Sequence, residues 1–113
     1  MSKVKLKPGD VVLAPLLGAQ GVKLRPTVVV STDLYLAQGR DVVVSELTTQ
    51  LAKATALTDY MLQDWAAAGL HHPSAFRVYL GTIEIATLRW IGHLTDHDWQ
   101  EVQTRLRLGL AVP

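Results

Sequence analysis

Arg25 stands between the glycine-bearing stretch LGAQGVKL and the valine run TVVVST, a single cation where a strand begins. Pro26 drives the residue before it into extended geometry, so the guanidinium is aimed in one direction. A guanidinium on a rigid strand beside a movable glycine loop suits bidentate grip of a phosphate. A second stretch offers matching groups. SELTTQ, residues 45–50, closes another strand with the hydroxyls of Thr48 and Thr49 and the amide of Gln50, all able to bond phosphate oxygens or base edges. If the two strands are neighbours, Arg25 and Thr48 converge on one rim. Each stretch alone is also compatible with less: Arg25 with a solvated strand edge or an ion pair to Asp10, the threonines with a polar strand end.

The remaining reactive side chains point to less chemistry. His93 and His97 have an H-x-x-x-H spacing, but Thr95 is placed as a helix N-cap, which leaves His93 outside that helix, and no third ligand lies nearby. No metal site is expected. His71 and His72 precede Pro73 in what reads as an exposed loop. Trp65, Trp90 and Trp99 are assigned to core and dimer packing rather than to base stacking. Cysteine is absent, which excludes a disulfide framework, thiolate zinc ligation and a cysteine nucleophile.

Eleven Lys and Arg against ten Asp and Glu give a net charge of +1, so the whole-molecule field attracts no polyanion strongly. Any nucleic acid must be held by a local gathering of Lys23, Arg25, Lys53 and Arg77. The opening MSKVKLKPGD is basic and lacks an apolar stretch, so neither a signal peptide nor a membrane span is read there. The expectation is a single cytoplasmic domain over 1–113.

The elements that must position these groups are mostly strands. DVVLAPLL (10–17), TVVVST (27–32) and DVVVSEL (41–47) are short β-branched runs bounded by Gly, Pro or Asp, and near-continuous apolarity implies cover on both faces. A further strand is expected near Tyr60–Gln63, and SAFRVYL and TIEIATL read as two more. LGAQGVKL reads as a mobile loop. In HLTDHDWQEVQTRLRLGL, Thr95 is the N-cap, Asp98 the capping-box acid, and Leu94 with Trp99 a hydrophobic staple. Trp99, Val102, Leu106 and Leu110 then form one apolar stripe. The pattern is a mainly β domain, a small barrel closed by one C-terminal helix.

KPGDVVLAPLLGAQGVKLRPTVVVST, DVVVSELTTQ, HPSAFRVYLGTI and IGHLTDHDWQEVQTRL, in that order, resemble the MazF/PemK toxins of bacterial toxin–antitoxin pairs from about Pro8 to about Leu106. The resemblance implies an SH3-like β-barrel with a C-terminal helix, a homodimer, and an endoribonuclease acting on single-stranded RNA at short motifs with neither metal nor cofactor. It also implies a cognate antitoxin that covers the RNA groove. Such cleavage uses the RNA 2′-hydroxyl as nucleophile, so the protein must supply a proton acceptor and donors to the phosphorane. By resemblance Arg25 and Thr48 are catalytic, with Gln20, Lys23, Thr49, Gln50, Lys53 and Arg77 as RNA contacts.

The sequence departs from several relatives where an acid would complete the site. The loop before Arg25 offers only Gln20 and Lys23, and the matching part of the fifth strand reads Tyr79 and Leu80. Glu46 shares strand parity with Thr48 and is the nearest acid, a candidate general base as well as a plain surface charge. Two other functions stay open, a silent RNA-binding member of the fold and a gyrase-directed toxin. The ending GLAVP counts against the second, which depends on a Trp-Gly-Ile type C-terminus.

Overall fold

The computed structural model describes residues 5–112; Lys3 and the rest of the first four residues, with Pro113, lie outside the described residues. Six strands form one antiparallel sheet: β1 Asp10–Gly18, β2 Gly21–Val29, β3 Asp41–Thr48, β4 Tyr60–Met61, β5 Ala75–Glu84 and β6 Arg89–His93. Their spatial order is β4-β5-β3-β2-β1-β6. The sheet curls into a small half-barrel, with Leu16 of β1 packed over Gly81 of β5. A short helix α1, Asp33–Leu36, links β2 to β3, and α2 spans Asp96–Gly109.

Apolar residues cover both faces, as the valine runs require. On one face Val11, Val28, Leu47, Phe76 and Leu94 pack with Val102 of α2, flanked by Trp65, Trp99 and Leu106. On the other Val12, Val29, Val42, Val44 and Leu16 pack with Ile83, Ile85 and Leu88. Trp90 is no part of either cluster: it stands 46% exposed on the edge strand β6, so of the core and dimer packing expected of it the core part does not hold.

Three sequence expectations are corrected. LGAQGVKL is not a mobile loop but the tip of a long hairpin, in which Gly18 pairs with Gly21 around a two-residue turn, Ala19-Gln20. Arg25 therefore sits inside β2 opposite Ala14 rather than at a strand's first position. SAFRVYL and TIE form one continuous strand, β5, followed by a 3-10 turn at Ile85–Thr87, and β6 begins only at Arg89.

The helix begins where the cap signal places it: the Thr95 hydroxyl accepts from the Asp98 amide at 3.4 Å. Asp98 does not reach back in a capping box. Its buried carboxylate accepts from the Tyr60 hydroxyl at 2.6 Å and from the Gln63 and Asp64 amides at 3.0 and 2.9 Å. Leu110 falls just past the helix, its amide donating to the Leu106 carbonyl. Burial, then the hydrogen bond to Asp98 and the nearby carboxylate charges, raise the Tyr60 phenol above the ordinary value of 10.0.

Two outcomes follow for stability. Asp98→Ala leaves a buried hydroxyl and two amides without their acceptor and is expected to cost about 3 kcal/mol in urea unfolding. Because Tyr60 holds its proton more tightly when folded, its share of stability is complete below pH 10.0 and declines above it. Unfolding free energy measured against pH in Tyr60→Phe should lack that alkaline decline relative to the wild type.

Candidate functional site

Antiparallel pairing puts Arg25 beside Thr27 and Thr27 opposite Glu46, so Arg25, Glu46 and Thr48 come from adjacent strands onto one face. They line one groove of about 460 Å³, together with Gln20, Lys23, Gln50, Lys53 and Arg77. All but one of the sequence candidates thus converge there. The exception is Thr49, exposed just past the end of β3; it borders a smaller cleft beside Arg25 and Pro26.

The guanidinium of Arg25 lies against Gly18 at the hairpin tip. A β-carbon on Gly18 would come within 3.1 Å of Arg25 Cζ and closer still to Nη2, so the absence of a side chain makes the seat. Among the described residues Arg25 makes no ion pair, and its Nε is buried without a hydrogen-bond partner. The pair with Asp10 considered from sequence does not form. Asp10 is buried, takes His93 Nδ1 at 2.8 Å and accepts from the Lys7 amide at 2.9 Å. That pair also occupies His93, and among the described residues no cluster of three His, Cys, Asp or Glu is arranged to hold a metal ion.

Thr48 is oriented by its own chain. Its hydroxyl oxygen accepts from the Gln50 amide at 3.0 Å, which leaves the hydroxyl proton free to be donated into the groove. Lys23 Nζ donates to the Gln20 side chain at 3.2 Å across the turn.

Opposite Glu46 the ladder between β3 and β5 is irregular. Ser45 pairs with Leu80 and Leu47 with Phe76, so three residues, Arg77 to Tyr79, face the single residue Glu46. The Ser45 hydroxyl fills the gap, donating to the Arg77 carbonyl and accepting from the Tyr79 amide at 3.1 Å. Arg77 and Tyr79, two apart on β5, line the groove from one strand face, as alternation places them. Arg77 Nε lies 3.8 Å from the buried Asp59 carboxylate, and the Tyr79 hydroxyl donates to the Leu17 carbonyl at 3.0 Å. Leu17, Gly18, Ala19 and Tyr79 are the groove residues that were not among the sequence candidates. The G-x-x-G spacing around Ala19-Gln20 is a hairpin signal that points to the tip, though not to the arginine it seats.

A half-barrel of this order, with an arginine, a threonine and an acid in one groove, can be compared with known families. Residues 7–110 match the family of PemK-like, MazF-like toxins of type II toxin–antitoxin systems. The chain belongs to that family. Among solved structures it is similar to an endoribonuclease in complex with its cognate antitoxin from a mycobacterial species, at 22% identity over 96% of this chain and 99% of that one, with a TM-score of 0.73. It also resembles the MazE–MazF complex of Deinococcus radiodurans, at 12% identity, 98% and 100% coverage and a TM-score of 0.72. A third is the Mycobacterium tuberculosis toxin MazF-mt6, at 20% identity, 92% and 98% coverage and a TM-score of 0.70. At these identities the likeness establishes the fold. A sequence comparison with curated proteins found no match.

The seat of Arg25 is testable without reference to activity. In Gly18→Ala the new methyl group displaces the mobile end of an arginine rather than backbone, so stability should change by less than about 1 kcal/mol. The Arg25 Nε resonance in a ¹H–¹⁵N spectrum should move while far-UV circular dichroism stays the same. An unmoved resonance would mean that Gly18 does not set the guanidinium.

Proposed function

We propose that this chain is the toxin of a type II toxin–antitoxin pair and cuts single-stranded RNA at short sequence motifs, without metal, using the RNA's own 2′-hydroxyl as nucleophile. The observation that carries the reading is an arginine without an ion-pair partner among the described residues, sharing a groove with Thr48 and Glu46. Family membership supports it independently.

Each role follows from the side chain's chemistry. Glu46 accepts the 2′-hydroxyl proton as that oxygen attacks the adjacent phosphorus. Arg25, with fixed N–H donors, binds the nonbridging oxygens as the phosphorane gains charge, and the free Thr48 proton is donated to the same oxygens. The P–O5′ bond breaks, the 5′-oxygen takes a proton from water, and the products carry a 2′,3′-cyclic phosphate and a 5′-hydroxyl. Lys23, Lys53, Gln20 and Gln50 hold flanking phosphates and base edges, and Thr49 contacts RNA from the adjoining cleft. The toxin acts in the cytoplasm as a homodimer, and a cognate antitoxin silences it by covering the groove.

The test is cleavage of a long, weakly structured RNA in EDTA, with the ends mapped. The wild type should make discrete cuts ending in cyclic phosphate, and Arg25→Ala or Thr48→Ala should each slow cutting by roughly 10²- to 10³-fold. Glu46→Gln should slow it by roughly 10²-fold or more and flatten the acid limb of the pH–rate profile. Folded wild-type protein that makes no cuts would overturn the reading. Full activity in Glu46→Gln would remove Glu46 from the role of base.

A further inference from the structure

Tyr79 is the groove residue that this reaction leaves unused. Its ring lines the groove and is 46% exposed, although the residue is fixed at both ends. The hydroxyl is tied to the Leu17 carbonyl at 3.0 Å and the backbone amide to the Ser45 hydroxyl at 3.1 Å. A tyrosine serving only the core would be turned inward. Here it stands on the same face of β5 as Arg77 and lines the same space as Arg25. Two residues back, Arg77 shares that space with a buried Nε that has no hydrogen-bond partner. Its acid neighbour, Asp59, is held in place from behind: its carboxylate accepts from the Ala56 amide at 3.0 Å, and its carbonyl accepts from Arg105 of α2 at 2.6 Å.

We infer that Tyr79 is a stacking platform for one unpaired base of single-stranded RNA and that Arg77 grips the phosphate next to that base. The inference deepens the RNA-cleaving reading above and rests on it. An aromatic ring locked before binding loses little conformational freedom when a base stacks on it, and every base offers a π-face. The hydroxyl proton is spent on Leu17, so the ring offers a base its face rather than a donor, and the platform contributes affinity at one position through stacking that every base can make. The 3.8 Å separation from Asp59 aims the Arg77 guanidinium while leaving donors for a phosphate. Asp59 is accordingly a positioning residue.

The test is binding rather than turnover. Fluorescence anisotropy of the full chain would be followed with a 2′-O-methylated single-stranded oligonucleotide, whose blocked nucleophile prevents cutting, and with an abasic backbone of equal length. Tyr79→Ala should weaken the base-bearing probe by roughly 5- to 150-fold and leave the abasic one unchanged. Tyr79→Phe, which keeps the ring, should retain most of the affinity. Arg77→Ala should weaken both probes and reduce the slope of log K against log salt by about 0.7. Equal losses on both probes in Tyr79→Ala, or no loss on either, would overturn the platform. Base-dependent binding that persists in a wild type unable to cut unmodified RNA would support the platform and overturn the nuclease reading instead.

Discussion

The constraint on which this molecule turns is a guanidinium kept partly buried without an ion pair among the described residues. A charge in that position attracts any acid within reach, and an ion pair would neutralise the group that the proposed phosphate contact needs. The buried acids are held elsewhere. Asp10 is bonded to His93 and the Lys7 amide, Asp59 faces Arg77, and Asp98 is saturated by a tyrosine hydroxyl and two amides. Glu46 is the acid left in the groove, and its place opposite Thr27 sets it beside the arginine without an ion pair between them among the described residues.

Stability is therefore built away from the site. The apolar cluster under α2 and the Asp98 hydrogen bonds fasten the helix to the segment after β4, on the face opposite the groove. Arg105 extends that fastening: it bonds the Leu57 and Asp59 carbonyls and stacks over Tyr60 at 5.5 Å. Through Asp59 this chain of contacts ends at Arg77 in the groove. The helix thus serves the site at a distance, as a rigid support for one of its cations.

What the sequence discloses and what it hides divide along the range of the interactions. The cap at Thr95 and the stripe through Val102 and Leu106 depend on neighbours three or four residues away, and they read correctly. The parity that places Glu46 with Thr48 is equally local, as are the Arg25-Pro26 step and the polar strand end at Thr48; the resemblance supplied the catalytic roles of the arginine and threonine. Asp98 misleads because all three of its donors come from residues 60–64, more than thirty positions earlier. Gly81 looks like a break between two strands, yet it lies inside β5 and makes room for Leu16. Gly18 and Tyr79 matter only once the sheet has curled and brought the hairpin tip over β5, which no local pattern encodes.

That curl brings two groove side chains to one short turn. Leu17 holds the Tyr79 hydroxyl through its carbonyl, and the next residue, Gly18, seats the Arg25 guanidinium. Ala19 and Gln20 follow at once, with Gln20 bonded to Lys23. A two-residue turn closed by a Gly18–Gly21 pair has little slack, so the tip moves as a unit. Any partner that displaces it shifts the Tyr79 ring and the Arg25 guanidinium together. A protein seated on the tip would need no contact with Thr48 or Glu46 to move both of these side chains.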